Sequence, residues 1–320
     1  MSTIPLSRRS LIAGATLVGL AGKVRASYPL TVPGKLPLLL FSKHLHWADY
    51  QLAAKIAKDL GVEGIDLTVR KGGHVEPERV VEDLPRAVEA FSREGVPVAM
   101  VTTDIQTTDS PYAKEILTTA KKLGISHYRW RDFTYDPTKP IPEQLQAIKP
   151  KISQLAKWNE SLGMSAIYHI HSGFHRVGTS VWDLWGLLRD ENPDAVAFNF
   201  DIGHATVEGG FGGWINSLRL VLPHTRGTAV KDFYWEKNSK GEWRPRWCAI
   251  GQGMVDWPRY FSMLKAATVP MPLQVHAEYE ELGSAASGRK QLDLPQAKVV
   301  AQLRKDIEAV RKYRNDAGLG

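Results

Sequence analysis

Short apolar segments alternate with longer segments of helical periodicity along most of the chain. A short apolar run is typical of a buried strand, whereas apolar residues that recur every three or four positions are typical of an amphipathic helix. The predicted strands are 36–41, 64–69, 97–102, 127–130, 165–171, 196–200, 227–231 and 272–278. The predicted helices are 50–60, 80–94, 112–123, 143–162, 181–189, 214–222, 258–267 and 296–314. Because parallel strands need helical crossovers, this alternation predicts an α/β protein, a single-domain (β/α)8 TIM barrel.

Several predicted helices end at a glycine that is followed at once by the next strand. Gly61, Gly95, Gly124 and Gly163 occupy this position, where glycine is favoured because it adopts the left-handed conformation that closes a helix. An open, doubly wound sheet is the alternative architecture. The glycine-rich phosphate-binding sequence expected after its first strand is absent, so the closed barrel is the preferred prediction.

The first 26 residues have the organisation of an export signal. Arg8 and Arg9 precede a short apolar run, 11–21, and a small residue, Ala26, follows it. This order is typical of a twin-arginine signal peptide that is cleaved near Ala26. The alternative is an N-terminus in which the two arginines occur by chance. We therefore expect a periplasmic or secreted protein in which residues 27–320 form the barrel domain.

The composition narrows the kind of protein further. The formal net charge is +7, and four of the positive charges lie in residues 1–26, so about +3 remains for residues 27–320. So weak a positive charge does not predict a nucleic-acid partner. Cys248 is the only cysteine, which excludes an intrachain disulfide and a cysteine-rich zinc site. The barrel must therefore be stabilised by a large apolar core.

The carboxyl ends of the predicted strands carry most of the histidines and several charged residues. In a (β/α)8 barrel the active site forms at these ends. Of the ten histidines in the chain, those at this face are His44, His46, His74, His169, His171, His204 and His276. The other candidates there are Trp47, Arg129, Arg131, Asp201, Lys231 and Glu278. This clustering predicts a metal or sugar site at one rim of the barrel.

Strand alternation separates these candidates by the face on which they lie. His169 and His171 share one face of the fifth strand, because successive side chains point to opposite faces. His276 lies between two apolar residues and is interpreted as a structural residue that points toward the helices. Asp201 and His204 lie three positions apart where the sixth strand ends. That spacing allows both side chains to converge, although Asp201 also suits a capping role in the following turn.

Five segments carry a resemblance to a known family. They are YHIHSG at the fifth strand, DIGHATVEGG at the sixth, VKDFYW at the seventh, IGQGMVDW between the seventh and eighth, and VHAEYE at the eighth. In these segments the chain resembles the xylose-isomerase-like TIM barrel superfamily of sugar isomerases, sugar epimerases and endonuclease IV. The resemblance extends over nearly all of residues 27–320 and implies the same (β/α)8 fold.

The resemblance also implies a divalent metal, which would be manganese, zinc or magnesium. In the superfamily its ligands are a glutamate at the fifth strand, an aspartate at the sixth, a histidine at the seventh and a glutamate at the eighth. Asp201 and Glu278 match the second and fourth of these ligands. His169 stands at the first position, and Ala229, which has no ligand atom, stands near the third. We therefore predict a mixed metal site of imidazole and carboxylate groups, formed by His169, Asp201, His204 and Glu278.

The predicted function is that of a sugar isomerase or epimerase. Such an enzyme removes a proton next to a carbonyl of a sugar or keto-sugar with the help of its metal. Glu278 is the candidate base, and Lys231 is a candidate cation for the negative charge that develops on the substrate oxygen. The residues predicted to bind the sugar are His44, Trp47, Arg129, Arg131 and His171. We expect a small-molecule sugar substrate, no nucleic-acid partner and no membrane insertion after signal cleavage. The sequence is compatible with a homo-oligomer.

Three alternative functions share the same barrel. The first is a lyase or hydrolase that acts on a 3-keto-glycoside, since proton abstraction next to a keto group also permits β-elimination. The second is an endonuclease that acts on abasic DNA, which would need a fuller set of metal ligands and a basic groove. The third is a sugar-binding barrel without catalysis, which the alanine at the third ligand position favours.

Overall fold

The computed structural model describes residues 36–266 and 271–320. The predicted export signal, residues 1–26, lies outside these described residues and remains an expectation. Within the described residues, no helix is long and apolar enough to cross a membrane.

Eight parallel strands close into a barrel, as the sequence predicts. They are β1 (Leu38–Phe41), β2 (Gly64–Val69), β3 (Val98–Thr103), β4 (His127–Trp130), β5 (Ser165–His169), β6 (Val196–Asp201), β7 (Thr225–Val230) and β10 (Leu273–Val275). Neighbours pair in the order β1, β10, β7, β6, β5, β4, β3, β2, and β2 pairs with β1 to close the ring. This order confirms the (β/α)8 barrel.

The last barrel strand is shorter than predicted. β10 ends at Val275, which pairs with Val230 of β7. After Val230 the chain leaves the barrel and forms an antiparallel hairpin of β8 (Asp232–Lys237) and β9 (Trp243–Cys248). The segment after Val275 therefore has no strand beside it on that side and continues as a loop at the barrel mouth.

Helices surround the barrel in the part of the chain that the structure describes. They are α1 (Tyr50–Leu60), α2 (Val80–Arg93), α3 (Ala113–Lys122), α4 (Ile141–Leu162), α5 (Val181–Leu188), α6 (Ile202–Gly209), α7 (Gly213–Val221), α8 (Trp257–Lys265) and α9 (Gln296–Asp316). The four glycines predicted to end helices all have positive φ, between 61° and 82°. Helix α6 is the one that the periodicity did not predict, since it is short and begins directly after β6.

The barrel interior changes from apolar to polar toward the carboxyl ends of the strands. A small apolar cluster fills the lower interior and consists of Leu39, Ala99, Met100, Ile167 and Ala197. Two residues after Ala197, the buried amide of Asn199 exchanges hydrogen bonds of 2.9 and 3.2 Å with that of Gln274. This amide pair forms a polar floor beneath the candidate site.

Candidate active site

Three strand ends bring His169, Asp201 and His276 together at the barrel mouth. All three side chains are buried, and each offers a ligand atom within 4.8 Å of the other two. His169 Nε2 lies 3.2 Å from Asp201 Oδ2, and the rings of His169 and His276 stack with centroids 4.9 Å apart. We call these three residues the metal triad.

The donor atoms of the metal triad have no hydrogen-bond partner among the described residues. They are His169 Nε2, Asp201 Oδ2 and His276 Nε2. Burying polar atoms without partners is costly, and a cation bound between them would remove that cost. Burial lowers the pKa of both histidines well below the ordinary value, so the rings are neutral, as metal ligation requires. Two imidazoles and one carboxylate suit zinc, manganese or iron, so the residues present fit a divalent metal.

His276 does not have the orientation that the sequence interpretation gave it. Its ring faces the barrel interior, where it stacks between His169 and Phe41; the Phe41 centroid lies 4.5 Å away. The interpretation was wrong because it considered only the apolar neighbours in the chain. Alternation would have placed His276 on the same face as Gln274 and Glu278, which lie two positions to either side.

His204, a predicted metal ligand, lies in a second group of histidines. His169, His171 and His204 also present ligand atoms within 4.8 Å of one another. Within this group, His204 Nδ1 lies 2.8 Å from the hydroxyl of Ser172. The two candidate groups share His169, so the structure offers two alternative sets of ligands.

Asp201 has a capping role as well as a place in the metal triad. Its Oδ1 accepts a hydrogen bond of 2.9 Å from the backbone N–H of His204, which caps α6. Its Oδ2 remains for a metal.

Gly203 in the first turn of α6 allows the chain of Lys231 to pass closely. A Cβ at this position would lie 2.6 Å from Lys231 Cγ and 2.8 Å from Lys231 O.

Glu278, also a predicted metal ligand and the candidate base, has both carboxylate oxygens engaged. Oε1 lies 2.5 Å from the ammonium of Lys43, and Oε2 lies 2.7 Å from that of Lys231. Burial alone would raise the pKa of Glu278, but the two ammonium groups outweigh it and hold the pKa well below its usual range. The carboxylate is therefore ionised and held at the mouth, two residues from His276.

Lys231 directly follows β7, two residues after Ala229. Its side chain is buried, and Nζ lies 3.5 Å from Asp201 Oδ2 as well as close to Glu278. Trp247 of the hairpin covers it, with Nζ 4.6 Å from the ring centroid. The hairpin thus forms one wall of the site and fixes a positive charge between the two carboxylates.

The residues predicted to bind the sugar separate into two sets. Arg129 and His171 lie beside the metal triad, with Arg129 Nη2 3.2 Å from His171 Nε2. His44 is fully buried, and its two ring nitrogens contact the Ala285 carbonyl and the Ala277 N–H. This arrangement leaves no ring nitrogen of His44 for a substrate hydroxyl.

The other two residues predicted to bind the sugar are Trp47 and Arg131. Trp47 is partly buried against the core, and its indole N–H donates to the His44 carbonyl. Arg131 lies just after β4 with an exposed side chain. The sequence did not predict a role for Lys43, which follows β1. Its ammonium contacts Glu278, 235 positions away in the chain. No local pattern marks such a contact.

These observations define a (β/α)8 barrel with a candidate metal centre at the strand ends. The chain belongs to the xylose isomerase-like TIM barrel family, whose model matches residues 54–304. This match confirms the resemblance stated from the sequence. No curated protein matches the chain significantly.

Solved structures share the fold at low sequence identity. The IOLI protein with a bound zinc atom is 14% identical, with a TM-score of 0.66 over 87% of this chain and 99% of that chain. A xylose isomerase-like TIM barrel protein from Mycobacterium smegmatis in complex with magnesium is 11% identical, with a TM-score of 0.63 over 91% and 100%. The D-allulose 3-epimerase from Methylomonas sp. in complex with D-allulose is 14% identical, with a TM-score of 0.62 over 87% and 97%. At such identities the likeness establishes a shared fold.

Proposed function

We propose that this protein is a metal-dependent sugar isomerase or epimerase. The observation that carries the proposal is the convergence of three buried donor atoms, from His169, Asp201 and His276, at the mouth of a barrel of this family. None of the three has a hydrogen-bond partner among the described residues. These residues would hold a divalent cation, which would supply Lewis-acid stabilisation for a substrate oxygen. The zinc, magnesium and D-allulose named for the similar structures agree with a metal and a sugar ligand.

Glu278 is the proposed base. Its carboxylate is ionised and lies at the same mouth as the metal triad, with a quarter of the side chain exposed toward the opening. In the proposed reaction it accepts a proton from the carbon next to the substrate carbonyl. In an isomerase it then returns that proton to the neighbouring carbon on the same side of the substrate. In an epimerase the new proton would come from a second acid or from water on the opposite face of the carbon.

Lys231 is proposed to stabilise the negative charge that develops on the substrate when the proton leaves. Its ammonium is fixed by contacts to Asp201 and Glu278 and by the ring of Trp247. A preorganised charge in a water-poor site is more effective than one that must reorient during the reaction. The same ammonium keeps Glu278 in position.

We also propose that the protein acts outside the cytoplasm. The support is the twin-arginine pattern around Arg8 and Arg9, which the sequence alone provides. Fusion of residues 1–26 to a reporter would test it: export that depends on both arginines is expected, and a reporter that stays in the cytoplasm would contradict the proposal.

Solvent exchange is the sharpest test of the proposed reaction. The purified full chain is supplied with Mn²⁺, Zn²⁺ or Mg²⁺ and incubated in D₂O with ketoses, aldoses and 3-keto-glycosides. NMR should show deuterium at the carbon next to the carbonyl, with a rearranged sugar as product. Glu278→Gln should lower the exchange rate by about 10²- to 10⁴-fold while bound metal is retained.

Each other outcome of this experiment identifies a different function. Loss of the glycosidic substituent from a 3-keto-glycoside would show a lyase. Sugar binding without exchange, in protein that contains metal, would show a barrel without catalysis. Either result would contradict an isomerase or epimerase.

A further inference from the structure

Two arginines, Arg70 and Arg129, stand near the metal triad. Arg70 follows β2, and Arg129 lies in β4. Their guanidinium carbons lie 5.7 and 5.9 Å from the ring centroid of Phe41. Phe41 in turn stacks on His276, one of the three residues of the metal triad. Both guanidinium groups are therefore close to the place where a substrate would bind.

Neither guanidinium has a carboxylate partner within residues 36–266 and 271–320. No carboxylate oxygen of those residues lies within 4 Å of a nitrogen of Arg70 or Arg129, and the one side-chain hydrogen bond of either group among those residues is that of Arg129 with His171. By contrast, the buried Arg314 lies 2.6 Å from Glu63, and the half-buried Arg311 donates to the carbonyl oxygens of Leu60 and Gly61.

The nearby carboxylates Asp66, Asp132 and Glu278 favour the charged form of Arg129 only from a distance, without an ion pair. Glu278 is engaged by Lys43 and Lys231. Asp66 is fully buried, and both its oxygens accept from the Thr102 hydroxyl. Burial raises the pKa of Asp66 to about 7, so a large share of this group is neutral at neutral pH. Positive charge is therefore in excess at this side of the mouth.

Positive charge in such a half-buried place is costly unless an anion approaches it. Burial, and then the charge of Arg70, lower the pKa of Arg129, so each guanidinium raises the cost of the other. Planar guanidinium groups bind carboxylate and phosphate oxygens through paired, charge-assisted hydrogen bonds. The ring of Phe41 supports both groups through cation–π contacts and restricts their orientation.

We propose that Arg70 and Arg129 bind an anionic oxygen group of the substrate, so that the protein acts on an acidic sugar that carries a carboxylate or a phosphate. This inference rests on the proposed function, because it assumes that a sugar binds beside the metal triad. It assigns Arg129 a more specific role than contact with a sugar hydroxyl, and it adds Arg70 to the site.

Calorimetric binding to the full chain with Mn²⁺ present tests the proposal. The probes are D-glucuronate, D-glucose 6-phosphate and D-glucose. One of the two acidic sugars should bind at least about 10-fold more tightly than D-glucose, which corresponds to one charge-assisted contact, and which one binds identifies the anion. Arg70→Gln and Arg129→Gln should each abolish this preference, because each variant should lose more affinity for the acidic sugar than for D-glucose.

A matched control and a second variant keep the test decisive. Arg86→Gln removes the same charge from the outer surface of α2 and should leave the preference intact. If Arg129→Gln does not fold, Arg129→Lys keeps the charge but loses the paired hydrogen bonds, and it should reduce the preference by several-fold. Equal binding of all three sugars, or an unchanged preference in both arginine variants, would overturn the proposal.

The two proposals fail in different ways. If a neutral sugar is isomerised as fast as an acidic one, the anion site is wrong and the proposed function stands. If an acidic sugar binds with the expected preference but solvent exchange never occurs, the anion site stands and the isomerase or epimerase function is wrong.

Discussion

Two carboxylates at the barrel mouth, Asp201 at the end of β6 and Glu278 shortly after β10, resemble each other in sequence position but not in surroundings. Asp201 is fully buried, and one of its oxygens has no hydrogen-bond partner among the described residues. Glu278 is a quarter exposed, and an ammonium group lies against each of its oxygens. The superfamily pattern assigns both residues to one metal, whereas the structure gives them different neighbours.

The difference shows that the partners of a carboxylate, more than its place in a motif, indicate its role. The Asp201 side of the mouth is rich in neutral imidazoles, which suit a metal. The Glu278 side is rich in ammonium groups, which suit a fixed ion pair and the handling of a proton and an anionic substrate. Lys231 joins the two sides because it contacts both carboxylates.

Removal of the Asp201 charge should have the largest effect. Asp201→Asn keeps an oxygen to cap α6 but loses the anionic metal ligand, so we expect metal content near zero. The turnover number should fall by about 10³-fold or more, roughly 4 kcal/mol of transition-state stabilisation. Elemental analysis measures the metal content, and steady-state kinetics measure the turnover number. Asp49→Asn, the same change at the cap of α1, is the control; full metal content in Asp201→Asn would disprove the assignment.

Two variants decide which of the two candidate ligand groups binds the metal. One group is the metal triad, and the other is formed by His169, His171 and His204. His276→Gln should weaken metal binding by at least about 10- to 100-fold, the range seen when even indirect support of a metal is lost. His204→Gln should change it by only a few-fold, because His204 lies outside the metal triad. Competition with a chelating dye measures both affinities. The reverse order would place the metal with His169, His171 and His204.

A third carboxylate, that of Asp232, has a structural role. Asp232, next to Lys231 in the chain, accepts hydrogen bonds from five N–H groups, which belong to Phe233, Gly251, Gly253, Val255 and Trp257. These bonds fix the IGQGMVDW segment beneath the hairpin. Asp232→Asn places an amide against these donors and should lower the free energy of unfolding by about 2 to 3 kcal/mol.

Urea denaturation of Asp232→Asn measures this loss, and metal content should stay unchanged in the folded variant. Asp256→Asn alters an exposed cap of α8 and should cost at most about 1 kcal/mol. If the two variants are equally stable, the buried hydrogen bonds of Asp232 contribute less than their number suggests.

The fold was predictable from the sequence because strand and helix periodicities are local properties, and the glycines that end helices are local as well. The identity of the strand-end residues at β5, β6 and β10 followed from the fold. The partners were not predictable, because contacts such as that of Lys43 with Glu278 join positions far apart in the chain. His276 was misassigned although alternation contained the information, and Arg70 became notable only when its lack of a carboxylate partner was known.

The smallest expected effect concerns Lys43, the more exposed of the two lysines that hold Glu278. Its ammonium helps to lower the pKa of Glu278, so Lys43→Gln should raise that pKa because one close opposite charge is lost. The base is active when ionised, so a higher pKa moves the acidic limb of the profile of kcat/KM against pH toward higher pH. Activity well above this limb should change by only a few-fold. An acidic limb that does not move would show that Glu278 is not the base, and the ion-paired side of the mouth would then serve substrate binding alone.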